Sequence, residues 1–289
     1  MLAEIRALGF EYAELGHATR LSLLDGIQRA VTAGEIKISS VHNFCPLPLA
    51  VNGPAPDYYL PSSSREREQE LVLRHTLRTI DCAASLGARV VVLHLGRVPM
   101  RNRTARLVEL FADGQAGTPR FERKRARALR VRERRRQKPF DRVCRLLDRM
   151  VPRAQEAGVK LGFETRLGLE EIPNEDETEE LLRRYGADVA GYWFDNAHAQ
   201  IKENLGLLRL ETVLERFRGR TLGMHLQDFT PPVFDHLPPG AGKFEFQRLT
   251  PFVTNDMIAT WEIHGEWDAQ QIAAGTSRVH ALLCQPVAA

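Results

Sequence analysis

A parallel α/β barrel is the fold this 289-residue sequence predicts, on three observations. Short apolar runs alternate with amphipathic stretches along the chain, the rhythm of βα units feeding a parallel sheet. Glycines stand as stop signals just past helical stretches, at Gly9, Gly34, Gly87, Gly158, Gly186 and Gly219. Six apolar runs end in an acid or a histidine: His42, His94, Glu164, Asp195, His225 and Glu262. Parallel strands share a direction, so their C-terminal ends share one mouth. Side chains of this kind meeting there predict a metal-dependent active site.

Taken in order, strands are expected at Tyr12–Leu15, Ile36–Phe44, Arg89–Leu95, Val159–Thr165, Val189–Asp195, Thr221–Asp228 and Ile258–His264. Helical patterns fall over 21–33, 65–86, 140–157, 175–185, 209–218 and 268–284. Leu2–Gly9 reads as a helix tail before the first strand. Seven strands are one short of a closed TIM-type (β/α)8 barrel, so the first strand is either missing from this chain or the barrel is open or rebuilt there. An open seam would expose strand edges. Residues 46–63, with Asn52-Gly53-Pro54, read as a long loop over the mouth that ends in a helix cap near Ser64. Residues 96–121 read as a second long connection. The chain is expected to be a single barrel domain over 1–289 with a basic helical insertion at about 101–138.

Composition is that of an ordinary soluble protein, 43% hydrophobic and 27% charged. The apolar runs last five or six residues, too short to cross a bilayer, so no membrane partner is expected. The start of the chain lacks the basic-then-apolar pattern of a secretory signal. Cys45, Cys82, Cys144 and Cys284 form no CxxC pair, which favours free thiols in a reducing cytoplasm. Net charge is +3, but residues 101–138 hold 14 Arg/Lys against four acids, +10, leaving −7 for the remainder.

Glu164, Asp195, His225 and Glu262 come from four separate strand ends. Three carboxylates and an imidazole suit a divalent ion such as Mn, Mg, Co or Zn. A single strand-end acid is usually a loop cap; a set at successive strand ends points to a metal. His198, three residues after Asp195, faces the same mouth and suits a second metal, a substrate oxygen or a helix cap. His42 and His94 end two adjacent strands, placed either for function or for backbone hydrogen bonds. His236 lies in a Pro/Gly-rich loop that can fold back over the metal, and Asp228 is either an orienting acid or a solvated one. Phe44, Cys45, Trp193, Trp261 and Trp267 flank the mouth as sugar walls or as packing.

At Gly162-Phe163-Glu164, Asp195-Asn196-Ala197-His198, His225-Leu226-Gln227-Asp228, His236 to Gly242 and Trp261-Glu262-Ile263-His264 the chain resembles the xylose isomerase-like barrel superfamily, specifically its sugar phosphate isomerase/epimerase branch. The resemblance implies one metal held by Glu164, Asp195, His225 and Glu262, with Glu164 and Glu262 also the proton-transfer pair. It makes His198 a ligand to a substrate oxygen and Glu170 a substrate-contacting acid. The arginine that ketose epimerases place six residues after the metal histidine is absent; Pro231 stands there. The superfamily also holds endonuclease IV-type enzymes with three zinc ions. Their ligands match His42, His94, Glu164, Asp195, His198, His225, His236 and Glu262, while Phe234 occupies the position of one further Asp and Asp235 is one step out of register.

Arg120–Lys138 reads as an exposed helix with Leu129 its main interior apolar anchor, and looks like the family's extra helix after the His94 strand. It is either a solvated helix or an electrostatic clamp for phosphate or nucleic acid, with no interleaved aromatics for base stacking. The expected activity is isomerisation or epimerisation of a small sugar or sugar-phosphate-like carbonyl compound. The alternatives are a multi-zinc phosphodiesterase acting on abasic DNA and a degenerate, non-catalytic barrel.

Overall fold

Every apolar run predicted to be a strand forms one in the computed structural model, which describes residues 1–49, 51–53 and 56–284. Pro54 of the expected turn lies outside the described residues. The strands are β1 (Tyr12–Leu15), β2 (Lys37–His42), β3 (Val90–Leu93), β4 (Lys160–Glu164), β5 (Ala190–Asp195) and β6 (Thr221–Leu226); then a short antiparallel pair, β7 (Asp228–Thr230) and β8 (Phe234–Leu237); then β9 (Ile258–Trp261). Seven of them make one parallel sheet in the order β1-β2-β3-β4-β5-β6-β9. β3 and β5 are buried at every position, as strands covered on both faces must be, which is why they read as unbroken apolar runs. The sheet has two end strands, β1 and β9, so the predicted shortfall of one strand against a closed barrel stands.

The helices are α1 (Leu2–Ala7), α2 (Leu24–Thr32), α3 (Glu66–Ser85), α4 (Thr104–Ala112), α5 (Pro119–Ala157), α6 (Glu175–Arg184), α7 (Asn196–Asn204), α8 (Leu210–Arg216) and α9 (Ala269–Leu283). Of the glycine stops, Gly87 and Gly158 show the reason: at φ 71° and 66° they hold the left-handed conformation that ends a helix without a Cβ clash. Gly186 differs: it does not have a positive φ, and α6 ends at Tyr185 in extended conformation.

Three features depart from expectation. The 96–121 connection contains α4, whose Leu107 and Leu110 are buried. The basic segment and the helix predicted at 140–157 are one helix, α5, which runs through Pro139 and Pro152. Leu129 is not its anchor: it is 44% exposed, whereas Phe121, Ala128 and Arg132 are buried. Finally, α7 follows β5 directly, and Asp195 accepts from the His198 amide at 2.8 Å as its N-cap.

The chain folds as two compact units: Met1–Pro99, Arg135–Glu164 and Glu171–Tyr192; and Met100–Arg134, Thr165–Glu170 and Trp193–Ala289. The first packs around Val41, Val72, Ile80, Val91, Leu147 and Phe163, the second around Leu107, Leu110, Phe121, Trp193, Leu210 and Met224.

Candidate metal centre

In the first unit the register of β2, β3 and β4 aligns their ends: His42 pairs with Val92, and Leu93, just before His94, pairs with Phe163, just before Glu164. One carboxylate oxygen, Glu164 Oε2, then faces two imidazoles, His94 Nε2 at 2.6 Å and His42 Nε2 at 3.4 Å. The rings lie edge to face with centroids 4.7 Å apart, and His17, just past β1, adds a third ring 5.0 Å from His42. His42 Nδ1 lies 3.0 Å from the Asn43 carbonyl oxygen, an acceptor, so that nitrogen carries the ring proton. His94 Nδ1 is held by Asp57 Oδ1 at 3.1 Å. Both Nε2 atoms thus face the same carboxylate oxygen, an arrangement that a cation shared between them would stabilise.

In the second unit, ligand atoms of Asp195, His225 and Glu262 lie within 4.8 Å of one another. His225 is fully buried, and its Nδ1 is 3.1 Å from Glu262 Oε2 and 3.8 Å from Asp195 Oδ2. Trp193 packs against its ring, T-shaped at 5.3 Å. That packing needs Gly223 in β6, because a Cβ there would meet Trp193 Cζ3 at 2.6 Å. Both oxygens of Asp195 are oriented: Oδ1 by the His198 amide, Oδ2 by Gln227 Nε2 at 2.8 Å. Gln227 also accepts from the His236 amide at 2.5 Å, tying the loop histidine to the Asp195 carboxylate.

His198 donates from Nδ1 to the Thr165 carbonyl at 2.9 Å, which leaves Nε2 facing Asp235 Oδ2 at 3.9 Å. His236 Nδ1 meets Asp235 Oδ1 at 2.8 Å, and Nε2 is 3.7 Å from Glu262 Oε1. Asp235, out of register by sequence, thus faces both histidines, while Phe234 beside it is 62% exposed. Burial works against a charged His236, but the hydrogen bond to Asp235 and the nearby Glu262 carboxylate outweigh it and push its pKa up to about 10. Burial would raise Asp235; the same contact and the nearby His198 hold it below the usual carboxylate range. His264, stacked on His236 at 4.0 Å, is lowered by its burial and by the neighbouring His236 charge.

Two predicted acids have other work. Glu170 takes up the start of α4, accepting from the Arg103 amide, the Thr104 amide at 3.1 Å and Thr104 Oγ1 at 2.6 Å. Asp228 is neither solvated nor bonded to His225: it is buried and accepts from the amides of Phe229, Gly240, Gly242 and Phe244 at 2.8–2.9 Å. Sequence reasoning gave no site role to His17, Asp57, Gln227 or His264, although Gln227 and His264 stand inside the quoted motifs and His17 lies just beyond the first strand run.

The donor set suits a cation: carboxylates and imidazoles gathered at strand ends are the ligand types that bind divalent ions. Fold and donors together define an α/β barrel whose clustered His, Asp and Glu side chains could hold a metal. Residues 2–280 match the family described as Xylose isomerase-like TIM barrel, and the chain belongs to that family. No curated protein matches the sequence. Among solved structures, the chain is similar to the 3-keto-D-glucoside 4-epimerase of E. coli, at 13% identity and a TM-score of 0.64 over 97% of this chain and 92% of that one. It is similar to the D-psicose 3-epimerase of Clostridium cellulolyticum H10, at 11% and 0.66 over 98% and 92%. A Thermus thermophilus protein soaked with ZnCl2 is 23% identical, with a TM-score of 0.58 over 97% and 91%. At these identities the likeness is one of fold.

Proposed function

We propose that the protein is a divalent-metal-dependent isomerase or epimerase of a small sugar or sugar-phosphate-like carbonyl substrate. The convergence of Asp195, His225 and Glu262 around a buried imidazole carries the reading. Glu164 is the fourth member of the set. It is peptide-bonded to Thr165, whose hydroxyl accepts from the Asp195 amide at 3.3 Å and whose carbonyl takes the His198 proton. The strand-end pattern of the sequence makes these four the residues that would hold a metal. A bound divalent ion would supply Lewis-acid chemistry, acidifying the C–H beside the substrate carbonyl. Glu262, with 17% of its side chain exposed against 2% for Glu164, takes that proton onto its carboxylate. Glu164, entering the step as the carboxylic acid, would give its proton to the same carbon and be left as the carboxylate. His198 and His236 orient substrate oxygens. Glu262→Gln is expected to abolish exchange of solvent deuterium into the substrate while leaving the circular-dichroism spectrum unchanged; retained exchange would remove Glu262 from the mechanism.

A second reading, a multi-zinc phosphodiesterase, is favoured by the His42–His94–Glu164 cluster and by Asp235 beside His198 and His236. Elemental analysis of protein purified without chelators separates the two. About one ion per chain supports the isomerase; two or three zinc ions support the phosphodiesterase.

A further inference from the structure

We infer that the outer face of the first half of α5 is a docking surface for the phosphate backbone of double-stranded nucleic acid. Arg120, Arg123, Lys124, Arg127, Arg130 and Arg134 are all exposed. At 100° per residue they fall within about 120° of helix circumference, and at 1.5 Å per residue they extend over about 21 Å. The two acids of this stretch, Glu122 and Glu133, lie off that stripe by more than about 100° from its centre. Glu122 is in addition held by Arg125 at 2.5 Å. The stripe is therefore a row of cations that neither acid of this stretch interrupts.

The opposite face fixes the helix in place. Phe121, Ala128 and Arg132 are buried, and Arg132 Nε donates to the Leu169 carbonyl at 2.7 Å. The stripe is preorganised, and a partner does not have to order it. Like charges one turn apart repel, so the row is relieved by a bound polyanion.

The chemistry of the row selects the partner. Five of the six cations are arginines, the side chain suited to bidentate phosphate contacts. No aromatic interrupts the row to stack on unpaired bases, which favours a duplex over a single strand. The one apolar side chain within it, Val131, is small and half-buried, too little to enter a bilayer or to form the core of a protein interface. Backbone contacts of this kind position a protein on a duplex without reading its sequence. The inference rests on α5 and not on the proposed sugar chemistry, so either can fail alone.

The test is fluorescence anisotropy of the full chain with a labelled duplex of about 20 base pairs, across a salt series. Wild-type affinity is expected to fall roughly 100- to 1,000-fold between about 50 and 200 mM salt, as contacts to about four to six phosphates require. R123E/K124E/R127E/R130E is expected to lose at least about 100-fold in affinity, and the neutral R123Q/K124Q/R127Q/R130Q to flatten the salt slope by about 3 to 4. All four side chains are exposed, and unchanged thermal unfolding of the variants checks the fold. Undiminished duplex binding by both variants overturns the inference. So does a wild type that ignores the duplex at low salt, or one that binds vesicles with about 30% phosphatidylserine and not the duplex.

Discussion

Asp228 carries four backbone N–H groups on one buried carboxylate, and those groups span Phe229 to Phe244. The loop that delivers Asp235 and His236 is therefore wound around a single side chain. Space is tight there: a Cβ on Gly242 would clash with Asp228 Oδ1 and meet the Phe229 carbonyl at 2.5 Å. Hydrogen bonds to a charged acceptor contribute about 1.5–3 kcal/mol each and are not additive. Asp228→Ala is expected to cost about 3 kcal/mol or more and to loosen the loop. A urea midpoint unchanged from wild type would show that the carboxylate does not organise it. Gln227 acts similarly one residue earlier, joining Asp195 to His236. From the sequence, Asp228 reads as either an orienting or a solvated acid, and Gln227 beside it carries no assigned role. Their roles depend on partners up to 32 residues away, which no local pattern records.

At the scale of elements, capping decides where the helices begin. Asn174 and Glu177 form a reciprocal capping box at α6, with both bonds at 2.9 Å, and this spacing is readable in the sequence. α4 is the opposite case: its cap is Glu170, 66 residues distant, so the segment reads as a loop. α5 continues past Pro139 because Phe140, Val143 and Leu147 are buried against the core, and that packing outweighs the hydrogen bond each proline removes. The entry to α3 is set by Glu68, which accepts from the Leu60 amide at 2.9 Å, Ser63 Oγ at 2.7 Å and Arg65 Nε at 2.8 Å. Burial would raise its pKa, but these donors outweigh it and hold Glu68 below its ordinary 4.5. A depressed carboxylate contributes stability that is full above its unfolded value and lost as pH falls through the folded one. Glu68→Gln is thus expected to be less stable than wild type at neutral pH and to lose less between pH 7 and about 3.5. Equal losses in urea titrations at the two pH values would discount this carboxylate.

For the whole molecule, charge organises both the mouth and the exterior. The basic segment at +10 leaves the rest at −7, and part of that negative charge is the acid set around His225. A cation bound there would be linked to stability. At about 100 times its dissociation constant it would contribute about 2.7 kcal/mol, which for a domain of this size is roughly 5–10 °C in Tm. Chelation is expected to lower Tm by that amount and re-addition of Mn or Zn to restore it, with no such response in His225→Ala. A Tm indifferent to chelator would count against the centre. No helix among the described residues is long and apolar enough to cross a membrane, in line with the short apolar runs.

The sequence by itself determined the seven strands, their parallel winding, the shortfall at the first position and the side chain at each strand end. These follow from local periodicity: a strand buried on both faces must be apolar throughout, and the residue after it must meet the mouth. Tertiary structure alone decided which acids face imidazoles and which cap a helix or wind a loop. Glu164 faces His42 and His94, whereas Glu170, six residues later, holds α4. Asp235 reaches His198 although its sequence register points elsewhere, because β7 and β8 set the direction of their loop. A carboxylate has the same chemistry in all these places. Its role is set by the donors that the fold brings within about 3 Å, and those come from distant parts of the chain.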